Sequence, residues 1–343
     1  MLAWKDGVYY ACIPDLWWLK DTKGTGHADE RKSLHNGYGV HVGFLGHDLH
    51  GLIMGPDGRL YFSLGDRGLN VNTLDGKHLE LIDMGAVLRC EPDGSNLEIF
   101  HQGLRNPQEL AFDEQGNLFT VDNNSDGGDK ARLVHLVPGG DSGWRIGWQF
   151  IEQPNSRGPW NAEKMWYPRN DDQPAFLLPP LLNMSDGPSG LAYNPGTALT
   201  AKERGRFFLA DFRGSSVSSG IRSFSLKPNG SSFELADQDQ YLWGMCVTDV
   251  GFGPDGALYM TDWVEGWDKS GKGRVYKLDA PGAAADPKRV EVKQLLADGF
   301  TQRTPADLGR LMDHDDYRVR LAAQYELAER VSQALAGLSL IHI

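Results

Sequence analysis

Cysteine is scarce: 343 residues carry three, Cys12, Cys90 and Cys246, far apart in the chain. No CxxC and no CxxCH occurs, which excludes a zinc knuckle and a covalently attached c-type haem within this chain. Long apolar runs are absent too; a spanning helix needs about 18 such residues in a row, so none is expected. Cations are in the minority, with 34 Lys and Arg against 46 Asp and Glu, a net charge of −12. No basic stripe gathers them, and this excludes nucleic acid as a partner, since affinity for phosphates needs clustered Lys and Arg. The acidic balance reads either as plain solubility or as compatibility with divalent cations and a neutral substrate. A leader is also missing: Met1 to Gly7 reads as the middle of a strand and its turn, and the tail from Leu338 to Ile343 carries no helix stop. Both ends are expected to be cuts in a longer protein.

What is plentiful is glycine (42) and proline (18), the mark of many tight turns and so of many short strands. One unit recurs: a polar turn ending in Gly, a strand rich in Leu, Tyr and Phe, then an Asp. Its glycines are Gly7, Gly58, Gly116, Gly205 and Gly256, spaced by 51, 58, 89 and 51 residues. Four short strands with their turns need on the order of 40 to 50 residues, the span of one propeller blade. In three copies the Asp follows the glycine by six positions (Asp122, Asp211, Asp262); in the second copy Asp66 comes two later. A β-sandwich also alternates strands and turns, but near-constant spacing favours radial repetition. The expected fold class is all-β, a β-propeller over residues 1–279 with five blades visible. An insertion at 141–187 widens the long interval and carries a Trp cluster.

Residues 280–288 read as a linker by their Pro, Gly and Ala. Beyond it the period becomes helical: Thr304-Pro305 reads as an N-cap with Pro at the first helical position. Leu308, Leu311, Val319, Ala322, Ala323 and Leu327 recur at three- and four-residue steps. Residues 289–343 are expected to begin a HEAT-like helical domain, a unit that cannot bury its apolar face alone.

Three constellations carry possible chemistry. His47 and His50 stand just ahead of the strand that runs to Asp66 and Arg67. A histidine with an oriented carboxylate is a general base, and the alternative is a pair of loop histidines bound to backbone carbonyls. Arg105 and Asn106 sit in a Pro-rigidified turn and offer a fork of donors for a carboxylate or carbonyl oxygen, or else brace two blades. Asp122-Asn123-Asn124-Ser125-Asp126-Gly127-Gly128-Asp129 opens like a calcium loop. Leu133 stands where an EF-hand needs its last acid, so the choice is between carbonyl-held calcium and an ion-free Asx-turn cluster.

Taken in order, these motifs resemble the glucose/sorbosone dehydrogenase family, six-bladed propellers that use pyrroloquinoline quinone (PQQ) and calcium. The resemblance spans residues 40–279. It implies that His47 is the general base and Asp66 its partner, with Arg105 and Asn106 beside the quinone and substrate. It places calcium at the carbonyls of Asn124 and Ser125, with Asp122, Asp126 and Asp129 in the same loop. The substrate it implies is a sugar-like alcohol or hemiacetal. A closer likeness is to the planctomycete and verrucomicrobial membrane-bound dehydrogenases, through Gly46–Gly51, Gly65–Val71 and Thr261-Asp262-Trp263. That likeness implies HEAT repeats, a separate c-type haem domain as electron acceptor, and an exported or periplasmic location. Two departures stand out. The family's Arg-x-Arg-Asp, which holds the quinone's acids, reads here as Cys246-Val247-Thr248-Asp249, and its neighbouring Lys reads as Phe212, with Arg213 as the candidate replacement. The sequence thus points to a quinoprotein-like dehydrogenase, with a carbohydrate- or protein-binding propeller and a calcium-dependent lactonase as the rival readings.

Overall fold

The computed structural model describes residues 1–41, 46–124, 129–144 and 177–341. Five blade sheets follow one another along these residues, with a two-stranded hairpin, Leu69–Asn72 and His78–Leu81, inserted within the second. Blade 1 comprises Leu2–Trp4, Gly7–Cys12, Asp15–Lys20 and Glu30–Asn36; blade 2 comprises Leu49–Met54, Leu60–Leu64, Gly85–Cys90 and Glu98–Leu104. Blade 3 is Pro107–Phe112, Leu118–Asp122, Arg132–Leu136 and Leu182–Asn183. Blade 4 is Pro188–Tyr193, Phe207–Asp211, Gly220–Asn229 and Ser232–Trp243, and blade 5 is Val247–Phe252, Leu258–Asp262 and Arg274–Leu278. The first strands of blades 2 to 5 pack side by side in that order, which is radial repetition and not a sandwich. A sixth blade is not among the described residues.

The recurrent glycines turn each first strand into the second, as at Gly58 (φ +81°) and Gly256 (φ +74°), where a left-handed backbone is required. The aromatic residues that follow them pack between blades. Tyr61 meets Phe112 at 5.3 Å, Phe119 meets Phe207 at 5.2 Å, and Phe208 meets Phe252 at 5.4 Å, one edge-to-face pair for each successive seam. Each such pair adds about 0.5–1.5 kcal/mol beyond the burial of its rings.

The recurrent Asp has a structural task. Asp122, fully buried, accepts from the backbone N–H of Arg105 and Asn106 and from the Arg132 guanidinium. Asp211 does the same in blade 4, taking Asp186 N, Gly187 N and Arg222. Each ties the start of its blade's first strand to the third. In blade 2 the matching strand-end position holds Leu64, and the acid, displaced to Asp66, is released from that duty. The copy whose Asp is displaced lies at the site described below.

Two expected boundaries move. Gly140–Asp141 pairs in parallel with the outer strand of blade 2, and Leu182–Asn183 is the fourth strand of blade 3, so both ends of the expected 141–187 insertion belong to blades. Of its Trp cluster, Trp148, Trp160 and Trp166 lie outside the described residues. Helix α1 (Pro287–Asp298) starts inside the expected linker, because Asp286 caps it by accepting from Lys288 N and Pro287 suits the first helical position.

Helices α2 (Pro305–Leu311) and α3 (Tyr317–Ile341) follow, with Val292, Phe300, Leu308, Val319 and Ala323 buried among the three. Their apolar face is met by the propeller. Along α3 and its cap, Glu329 pairs with Lys5, Tyr325 donates to Gly55 O, and Arg320 lies 3.5 Å from Glu114. Tyr317 N donates to Pro195 O, and Arg318 donates to Gly253 O. One helix thereby touches a turn of each of the five blades, all at the end opposite His47. No helix of the described residues is long and apolar enough to cross a membrane.

Candidate active site

In an antiparallel hairpin the start of the first strand and the exit of the second share one end. His47 precedes Leu49–Met54 and Asp66 follows Leu60–Leu64, so hairpin geometry brings them together: His47 Nδ1 lies 2.9 Å from Asp66 Oδ1. Gly65 makes the approach possible, since a Cβ there would fall 2.6 Å from the His47 carbonyl. The Asp66 side chain is 1% exposed and that of His47 14%, so the base reaches solvent and its carboxylate does not. Asp66 Oδ2 has no hydrogen-bond partner. Asp66 N donates to Arg105 O at 2.6 Å, which fixes the dyad to the neighbouring blade.

The same hairpin logic in blade 3 sets Arg105 and Asn106 against Asp122. The Arg105 guanidinium donates through Nη1 to Asn124 O and lies over the Trp144 ring at 5.8 Å. Asn106 is fully buried, and neither its Oδ1 nor its Nδ2 has a partner. His47, Arg67, Arg105, Asn106, Asn124 and Arg213 all line one cavity of about 940 Å³ at this end of the ring. The expected residues therefore converge, with three corrections.

His50 is not among them. It lies within the first strand of blade 2 and lines the central lumen, where burial pulls its imidazole down to about 4 and keeps it neutral. Asp122 is not a metal ligand, because its carboxylate is spent on the Arg105–Asn106 turn and on Arg132. The Asn124 carbonyl accepts from a guanidinium, Asn124 Nδ2 donates to Asp129 O, and Ser125 and Asp126 lie outside the described residues. Among the described residues no three His, Cys, Asp or Glu side chains gather to hold a metal ion. The described residues do not by themselves make a calcium centre.

Sequence reasoning missed the opposite wall, formed by Phe212, Trp263 and Trp267. Phe212 stacks on Trp263 at 5.7 Å, and Trp267 stands edge-on to Phe212 at 5.3 Å and to Trp263 at 5.2 Å. Two glycines set this wall. A Cβ on Gly214 would strike Trp267 at 1.9 Å, and one on Gly266 would fall 2.2 Å from Gly214 O, so two loops interlock backbone against backbone. Thr248 joins the wall with its hydroxyl 2.9 Å from that of Thr261. Cys246 is buried, with its thiol pushed up by burial.

Arg213 lies 2.8 Å from Asp186 and 3.0 Å from Asp211. Burial would raise the Asp211 carboxyl, but hydrogen bonds from Arg213 and Arg222 outweigh it and hold the group below its ordinary value. That guanidinium is shared between two carboxylates before any ligand arrives.

The described residues thus form a β-propeller with a His–Asp dyad and an Arg–Asn turn at a cavity at one mouth. The chain belongs to the family described as a domain of unknown function (DUF7133), which matches residues 1–267. It is similar to quinoprotein glucose dehydrogenase B of Acinetobacter calcoaceticus, 32% identical over a 120-position alignment that takes in 27% of this chain. The chain spans 24% of the length of that relative. Among solved structures, a glucose dehydrogenase superposes with a TM-score of 0.55 at 17% identity, covering 78% of this chain and 73% of that one. The PQQ-bound aldose sugar dehydrogenase of Streptomyces coelicolor gives 0.52 at 22% identity, covering 79% and 74%. At these identities the likeness to the solved structures is one of fold.

Proposed function

We propose that this chain is the oxidoreductase module of a sugar dehydrogenase-like enzyme, acting on a hydroxyl-bearing carbon of a sugar-like molecule. The observation that carries the reading is the His47–Asp66 pair at the mouth of a cavity shared with Arg105 and Asn106. With Nδ1–H donating to the Asp66 carboxylate, Nε2 is left as the base. It takes the hydroxyl proton, and the buried Asp66 carboxylate, whose Oδ1 faces Nδ1, stabilises the imidazolium that forms. Arg105 and Asn106 bind an oxygen on which negative charge grows, and in a site sheltered from water such donors act strongly.

Loss of two electrons from the carbon requires an acceptor. PQQ, bound by the Streptomyces relative, is the one this reading first suggests, and its fit is uneven. Arg105 and the unpaired, buried Asn106 side chain suit a quinone oxygen. The opposite wall does not suit its carboxylates: Phe212, Trp263, Trp267 and Thr248 offer no charge, and Arg213 is already shared. Two missing charge-assisted pairs of about 1.5–3 kcal/mol each leave a multiply charged acid weakly held. Among the described residues this wall does not suit PQQ as a triacid, although Arg67 and Arg105 stand on the dyad side of the same cavity, and no step above runs through it. Export and transfer of electrons to a haem domain belong to the same proposal.

The test is reduction of a redox dye by a panel of aldoses and sugar alcohols, with quinone acceptors supplied. His47→Ala is expected to lower the rate by about 10²–10⁴-fold, the usual worth of a general base. Absence of dye reduction with every sugar and acceptor defeats the reading and favours a propeller that only binds its ligand, to which the uncharged wall also lends itself.

A further inference from the structure

Selection by charge is built into the wall opposite the dyad. A site for a polyacid keeps free guanidinium or ammonium groups aimed at its ligand, and among the described residues this wall has none to spare; the cavity's other cations, Arg67 and Arg105, stand on the dyad side. Arg213 reaches the cavity, but Asp186 at 2.8 Å and Asp211 at 3.0 Å already neutralise it. Arg222, the next cation behind it, bonds to the same Asp211 oxygen at 2.7 Å. Around this pair of cations the carboxylates Asp186 and Asp211 offset the positive charge. Bringing a carboxylate here would strip its water and supply no counter-charge, which is unfavourable.

What the wall does present is flat apolar surface. Trp267 is 50% exposed, although a large ring at a protein surface is normally covered, and it is held in place by its backbone N–H, which donates to Gly214 O at 3.0 Å. The interlocked glycines, Gly214 at φ +81° and Gly266 at φ +52°, exist in a conformation other residues adopt poorly. Two loops from different blades are thus committed to holding an indole open to the cavity. Ser189, Ser218 and Thr248 border it with hydroxyls, which donate or accept without demanding charge.

We infer that the Phe212–Trp263–Trp267 wall takes the face of an uncharged six-membered ring and discriminates against ligands bearing several carboxylates. The inference rests on the dehydrogenase reading only for the identity of the ring, which is either a carboxylate-free quinone or a neutral pyranose; the charge preference stands on the wall alone.

The experiment measures equilibrium binding to the full chain by quenching of tryptophan fluorescence and by calorimetry, with no turnover needed. The probes are PQQ, its trimethyl ester, methyl β-glucopyranoside and the matching glucuronide. The ester is expected to bind at least about tenfold more tightly than the triacid, or the glucoside more tightly than the glucuronide; which pair responds identifies the source of the ring. Trp267→Ala should weaken the preferred neutral probe by about 2- to 10-fold, the range of a lost aromatic contact. Phe212→Lys should reverse the preference, raising affinity for the triacid by about tenfold or more as a charge-assisted pair is gained. Tightest binding by the triacid or glucuronide in the unaltered chain, or no binding of any probe, overturns the inference. His47→Ala, which abolishes turnover in the proposed reaction, should leave the neutral-over-acid preference unchanged, so a failure of the dehydrogenase reading is told apart from a failure of this one.

Discussion

Removing the carboxylate of Asp122 tests the reading of the recurrent Asp as a fastening within each blade. In Asp122→Ala two backbone N–H groups and the Arg132 guanidinium lose their acceptor at a site with no solvent exposure. Breaking a buried ion pair by deleting one partner costs about 3–5 kcal/mol, because the other charge is left behind. Against a typical stability of about 5–15 kcal/mol this is a large fraction. Guanidinium titration followed by circular dichroism should show a lower midpoint, with the slope kept if the compactness of both states is kept. The repeat supplies its own scale. Asp211→Ala should cost a similar amount, since that carboxylate is as buried and as fully bonded. Asp262→Ala should cost about 1 kcal/mol or less, because its Arg274 partner lies 3.9 Å away on a side chain 56% exposed. A loss below about 1 kcal/mol for Asp122→Ala, or the largest loss at Asp262, would refute the account.

Other outcomes follow from the same geometry. Glu109 lines the lumen, and burial with Asp249 nearby raises its carboxyl well above the ordinary range. The folded state therefore holds that proton more tightly than the unfolded chain. The resulting stabilisation is full below the ordinary carboxylate value and lost as pH rises through the raised one. Glu109→Gln should raise the melting temperature near pH 8 and lose that advantage near pH 4, as read by melts across about pH 4–8. Of the three thiols only Cys12 is exposed; Cys90 is buried with its thiol pushed up to about 12, and Cys246 is buried and raised. Ellman's reagent should label one thiol per native chain quickly and three after denaturation. Arg289, 3% exposed, clamps Asp279 and Asp255 O, so Arg289→Met should lower the melting temperature and speed proteolysis after residue 279.

The blades were legible because their punctuation is local: a Gly that must turn and a strand that must alternate show within six residues. The dyad was legible for a related reason, as a hairpin brings residues 19 apart to one end whatever the rest of the chain does. The function of the recurrent Asp was not, since nothing in Asp-x-Asn-x-Asp-Gly distinguishes an acid facing a metal from one turned inward onto backbone N–H groups. Asp122 was misread on that account. His50 was misplaced because being three positions past His47 puts it inside a strand, where its ring faces the lumen. Phe212 and Trp263 stood out one by one in the sequence, but nothing there joined them into a wall. Phe212 and Trp263 are 51 positions apart, and only the contact of Gly214 with Gly266, a fact of tertiary structure, aligns their rings.

The helix lying across the blade turns also bears on traffic. A ring of wedges fails at its weakest seam, and a rod fastened to every wedge makes opening any one seam a cost shared by all. With the helix across the turns at one end of the lumen, a molecule seated at the His47 mouth would cover the other end and the water beneath it. Exchange of deep lumen waters, and of the amides facing them, should then slow whenever the mouth is filled, even though no ligand touches those strands.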